Sequence, residues 1–167
     1  MNQPSQYRMI IHTQGGVPGH FFVELQGPDG RDVMGFQAES AIKASSLSSV
    51  DGEVKDDEYR LKEDADSIKS SKSISLTPEQ FDKVSSFFEE AENDDSDSNK
   101  WKKYDLNDNN CVDFANEAVK RAGLKGDVDD YLSTEQRDQM SGAAAYSNYK
   151  YAQDRIKARD EKFGSGL

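Results

Sequence analysis

Apolar and polar positions alternate over Tyr7–Gln14 (YRMIIHTQ), with Met9 and Ile11 on one face and Ile10 on the other, which predicts a strand touching apolar neighbours on both sides. The run GGVPG then breaks the pattern. His20–Gln26 (HFFVELQ) reads as a second strand, GPDG over Gly27–Gly30 as a turn, and Arg31–Gln37 (RDVMGFQ) as a third strand, together an antiparallel hairpin. Between Ala38 and Ser73 the chain is mostly Ser, Asp, Glu and Lys. Tyr59 and Leu61 alternate with charges there, predicting a short edge strand over Glu58–Leu61, and SISL at Ser73–Leu76 predicts another.

The period then changes to that of a helix. Thr77-Pro78-Glu79-Gln80 combines a capping hydroxyl, a proline where no N–H is needed, and a glutamine placed to complete a capping box. The helix it starts is expected to run to about Glu92 and to bury Phe81, Val84 and Phe88. An acidic loop, Asn93–Asn99, follows. In YDLNDNNCVDFANEAVKRAGL the residues Cys111, Phe114, Ala115, Ala118, Val119 and Ala122 form one stripe of an amphipathic helix, capped by Asn109 or Asn110 and stopped by Gly123. After a loop near 126–130, Tyr146–Phe163 reads as a charged surface helix.

These elements define an α+β chain, and 167 residues suffice for one domain: a core over about 7–124 and a polar, partly helical extension over 125–167. Asp plus Glu number 32 against 21 Lys plus Arg, a net charge of -11, so a surface that tracks nucleic-acid phosphates is excluded. No stretch is long and apolar enough for a membrane helix, and MNQPSQYRMII lacks the layout of a Sec-type signal. The chain is therefore read as made in the cytoplasm. Cys111, the one cysteine, has no partner for an internal disulfide, so it is either a small buried hydrophobe or a chemically used thiol.

A thiol in the first turn of a helix meets unpaired N–H groups and the positive end of the helix dipole, which favour thiolate and can stabilise an oxyanion. A nucleophile also needs a base, and His12 and His20 are the two imidazoles. His20 opens a strand directly after glycines that leave room for substrate. Against this, free cysteines are usually core residues and strand histidines are usually structural. Asp105, Asn107, Asn109 and Asp113 have the spacing of a calcium loop, but Asn110 and Asn116 stand where glycine and glutamate are needed. No metal or cofactor is expected, since two His and one Cys make a poor zinc set.

GVPGHFFVEL, the hairpin ending in MGF, the Thr-Pro-Glu-Gln helix and NNCVDFANEA, in this order, resemble the circularly permuted branch of the papain-like NlpC superfamily over roughly Met9 to Leu124. The likeness is greatest to bacterial type VI secretion effectors that act on peptidoglycan. The resemblance implies a permuted papain-like fold, an antiparallel sheet packed on a helix with the nucleophilic Cys at its N-terminus. It implies Cys111 as nucleophile and His20 as base. It also implies a third polar residue, often His, at or near Gly35, where this chain departs from the pattern; Gln37 is the substitute, with Asp32 and His12 as further candidates. Asn110 is read as capping and shaping the nucleophile turn, and Gln14 as a loop residue that could face an oxyanion.

The expected function is that of a cysteine amidase or endopeptidase acting through a thioacyl-enzyme on peptidoglycan stem peptides. Delivery by a dedicated secretion machine into a target-cell periplasm, with an immunity protein as partner, accompanies that expectation. A protease, deamidase or acyltransferase acting on proteins or lipids is the alternative within the same chemistry. A noncatalytic binding or immunity-type protein with Cys111 in its core is the alternative outside it. The acidity disfavours electrostatic capture of an anionic wall and suits a protein partner.

Overall fold

A computed structural model describes residues 5–16, 19–40, 49–141 and 147–164. Seven strands form one antiparallel sheet: β1 (Arg8–Gln14), β2 (His20–Gly27), β3 (Gly30–Ala38), β4 (Val50–Asp56), β5 (Ile68–Ser70), β6 (Ile74–Ser75) and β7 (Lys103–Tyr104). The order across the sheet is β5-β1-β2-β3-β4-β7, and β6 also pairs with β1. Five helices are described: α1 (Glu58–Glu63), α2 (Pro78–Asn93), α3 (Cys111–Arg121), α4 (Thr134–Met140) and α5 (Ser147–Phe163). None among the described residues is long and apolar enough to cross a membrane.

The alternation of β2 divides the molecule. Phe21, Val23 and Leu25 face a core shared with Met9, Ile11, Met34 and Phe36 and with the apolar stripes of α2 and α3. All six stripe residues anticipated for α3, from Cys111 to Ala122, are fully buried, and an aromatic cluster of Phe36, Phe87, Trp101 and Phe114 joins this helix to α2 and the sheet. His20, Phe22 and Glu24 point to the opposite face, where β1 contributes His12 and Gln14 and β3 contributes Gly35 and Gln37.

The hairpin, the Ile74–Ser75 strand and the Thr77 capping box with Gln80 stand as the sequence predicts. In α2, Val84 and Phe88 are buried together with Phe87, while Phe81 is half-buried. The Glu58–Leu61 strand is corrected to a helix. The Asp57 N–H donates to the Val33 carbonyl at the end of the β3–β4 pairing, and Arg60 then folds back one turn so that its N–H reaches the Asp57 carbonyl and its guanidinium the Asp57 carboxylate. Strand β4, unpredicted because it carries only Val50 and Val54 among polar residues, lies beside β3; a Cβ at its Gly52 would come 2.7 Å from the Phe36 ring.

Val17 and Pro18 of the GGVPG break, residues 41–48 of the polar stretch after Ala38, and Tyr146 lie outside the described residues. The C-terminal stretch contributes to the core. Val128 and Ala152 are fully buried, and Gln136, on the unanticipated α4, donates from its buried amide to the Ile11 carbonyl at 3.0 Å. α5 is thus more than a surface helix: its small Ala152 permits close approach, and Tyr149 stacks on Phe21 at 5.9 Å.

Candidate active site

Asn110 closes the α3 N-terminus with a capping box. Its side-chain oxygen accepts the Val112 N–H at 2.9 Å, and Asp113 Oδ2 accepts the Asn110 N–H at 2.8 Å. The Asn110 amide also donates to the Leu106 carbonyl at 3.0 Å, so the turn entering the helix is tied at both ends. Arg155 of α5 pairs with Asp113 and donates to the Asn107 carbonyl, adding an outside brace to the same turn. The acidic residues that imitated a calcium loop are thereby occupied: Asp113 by this box and Arg155, and Asp105 by the Asn107 N–H.

Cys111 is the first residue of α3 and has no exposed surface. Burial pushes its thiol up to about 12; the Phe21 backbone N–H, donating to the sulfur, opposes that rise, while the Asp113 and Asp57 carboxylates add to it. The Phe21 contact puts the sulfur one peptide from His20. It also explains why the sulfur can reach the strand: β2 pairs with β3 only from Phe22↔Gly35 onward, so the first residues of β2 border an open seam on that side.

His20 is buried and stacks on Phe22 at 5.8 Å. Its Nε2 lies 2.7 Å from Oδ2 of Asp57, a carboxylate with no exposed surface. Burial alone would raise the Asp57 carboxyl, but the hydrogen bonds and charges of His20 and Arg60 outweigh it and hold the group below the usual carboxylate range. An ionised carboxylate can only accept, so Nε2 carries the proton and donates it, leaving the Nδ1 lone pair as the basic site. Burial lowers the His20 pKa more strongly than Asp57 raises it, with Arg60 and Lys55 also lowering it, so the ring is neutral at neutral pH. His20 points to the sheet face opposite the core that holds Cys111, and its described hydrogen-bond partner is Asp57.

Asp57, not Gln37, is the polar side chain that His20 meets. A Cβ at Gly35 would overlap Asp57 Oδ2 and lie 2.9 Å from His20 Nε2, so the position where the resemblance asks for a polar side chain is empty and the carboxylate enters that space from the end of β4. Gln37 stands one step away, accepting from Arg60 Nη2 at 2.8 Å and donating to Glu53 at 3.2 Å. Gln14 accepts from Arg60 Nη1 at 2.6 Å and donates to Asp64 at 2.6 Å, which places it in the same network. Asp32 is exposed near the start of β3. His12 is engaged elsewhere: Nε2 lies 2.7 Å from Glu24 and Nδ1 2.8 Å from the Ser70 hydroxyl.

Asp57 could have been found from the conjunction of a glycine at the expected third position and an acid where strand β4 meets a helix. Strand β4 was itself unrecognised, and that hid the junction. Among the described residues no group of three or more His, Cys, Asp or Glu could hold a metal ion. Comparisons with protein-family models, curated proteins and solved structures give no match.

Proposed function

We propose that this chain is a cysteine hydrolase of amide bonds with a permuted papain-like arrangement. The observation that carries the reading is the hydrogen-bonded His20–Asp57 pair one peptide from the N–H that touches Cys111 at a helix N-terminus. In this reading His20 Nδ1 takes the thiol proton as sulfur attacks the amide carbonyl carbon. The Cys111 N–H, at the first position of α3, faces the developing oxyanion. The tetrahedral species expels the amine, which receives the proton from Nδ1. Water then adds to the thioester, gives its proton to Nδ1, and releases the carboxylic acid as sulfur recovers the proton.

In this reading the buried thiol must become accessible and the sulfur must meet His20 Nδ1 for substrate to react. Peptidoglycan stem peptides are the proposed substrate, on the strength of the sequence resemblance. Delivery into a target-cell periplasm and an immunity partner belong to the same proposal. The test is incubation of the purified protein with peptidoglycan and mass spectrometry of the soluble products. New muropeptides that disappear in Cys111→Ala support the reading; none from wild-type protein whose thiol still reacts with iodoacetamide would redirect it to protein or lipid substrates.

The complete burial of Cys111 favours a second, noncatalytic reading, in which the thiol is a core residue and the acidic surface engages a basic protein partner. A native thiol inert to iodoacetamide until denaturant is added would support it.

A further inference from the structure

Arg60 lies in the first turn of α1 and reaches three segments with one guanidinium. Its Nε donates to Asp57 Oδ1 at 2.8 Å, Nη1 to Gln14 Oε1 at the end of β1 at 2.6 Å, and Nη2 to Gln37 Oε1 on β3 at 2.8 Å. The two glutamines are themselves held, by Asp64 and Glu53. The Arg60 side chain is only 17% exposed, and Asp57, fully enclosed, offers its two oxygens to different partners: Oδ1 to Arg60 and Oδ2 to His20. Arg60 therefore fixes which oxygen the imidazole receives and in which direction. A planar guanidinium with donors at fixed angles suits this task, where a lysine would supply a charge without the fork.

We propose that Arg60 is the positioning residue of the His20–Asp57 pair: it presents one carboxylate oxygen to Nε2 and supplies the positive charge that keeps Asp57 from drawing a proton onto the ring. A buried carboxylate facing a histidine with no other neighbour would stabilise imidazolium and remove the Nδ1 lone pair that the proposed thiol chemistry needs. With Arg60 in place the His20–Asp57–Arg60 unit carries no net charge when the ring is neutral, and protonating His20 leaves an excess positive charge in a buried setting. The charged groups around His20 are few. Asp57 and Arg60 come from the β4–α1 junction, Lys55 of β4 adds a second positive influence, and the neighbour on its own strand is the uncharged ring of Phe22. Cys111 approaches from α3 as a neutral thiol.

This assignment rests on the hydrolase reading for its purpose but not for its test. The measurement is the titration of His20 by NMR in the full-length protein. His20 is expected to titrate below an ordinary histidine in wild type, to move upward in Arg60→Gln and to stay near the wild-type midpoint in Arg60→Lys. Asp57→Asn is expected to move His20 further down, and if Arg60→Gln alone does not fold, the Asp57→Asn/Arg60→Gln double variant decides the matter, since it is expected to titrate above Asp57→Asn and an unchanged midpoint overturns the proposal. A folded Arg60→Gln with the wild-type midpoint, an upward shift in Asp57→Asn, or a wild-type His20 that titrates above ordinary histidine overturns the proposal. If hydrolysis is observed, the acidic limb of kcat/KM moves upward in Arg60→Gln along with the NMR midpoint. Titrations that behave as expected in a protein releasing no new muropeptides would overturn the peptidoglycan reading and leave the role of Arg60 standing.

Discussion

Gly35 and the Asp57 carboxylate share one volume of space: the carboxylate lies where the Cβ of any other residue at position 35 would be. The Gly35 backbone is not in the left-handed region, so alanine is conformationally permitted and the clash is steric alone. Gly35→Ala is expected to displace Asp57 from His20 at a cost of about 1–3 kcal/mol of stability, typical of overpacking. The check is urea denaturation together with the His20 NMR titration. Wild-type stability with an unmoved His20 would show that the carboxylate is not confined as described.

A second histidine–carboxylate pair governs acid stability. Glu24 is held down to about 2, first by its hydrogen bond with His12 and then, against the cost of burial, by Gln26 and Arg31. A depressed carboxyl contributes stability that is complete above the unfolded value near 4.5 and disappears as pH falls toward 2. The contribution at neutral pH is on the order of 3 kcal/mol. Glu24→Gln is expected to lose most of it at pH 7 and to approach wild type near pH 2, as read from urea midpoints across that range. A constant gap between the two proteins would refute the linkage.

The Asn110 cap is worth testing apart from chemistry. Asn110→Ala removes the acceptor of the Val112 N–H and the donor to the Leu106 carbonyl in a fully buried position, with an expected loss of about 1–2 kcal/mol. The urea midpoint should fall with the slope unchanged. Asn110→Ser, which retains a capping oxygen, should recover part of the loss.

Thiol reactivity reports on access. With Cys111 enclosed and pushed up to about 12, iodoacetamide labelling of the native protein at neutral pH is expected to be far slower than that of the denatured chain. Arg155→Ala releases the α5 brace on the nucleophile turn and is expected to speed labelling several-fold with little loss of stability. An unchanged rate would mean that α5 does not limit exposure of the sulfur.

The periodic parts of this chain were legible before any coordinates. The β1–β2–β3 meander, the Thr77 box and the buried stripe from Cys111 to Ala122 all follow from local patterns that burial then reinforced. The α+β class could be read in the same way, whereas a Cys111 helix packed beside the His20 strand came only from the family resemblance. Strand β4 and α1 escaped because their residues are polar and their stability comes from partners distant in sequence: Val33 for Asp57, Gln14 and Gln37 for Arg60. Gln136 and Ala152 were missed for a related reason, since a buried amide and a small alanine carry no apolar period. The Asp57 partner of His20 was illegible because its cue at position 35 is a missing side chain.

Cys111 and His20 lie on segments separated by about 90 residues, and they are brought into one region only where α3 meets the start of β2. Neither the hairpin nor the helix carries both residues, so a nascent or clipped chain lacks their juxtaposition until α3 packs on the sheet.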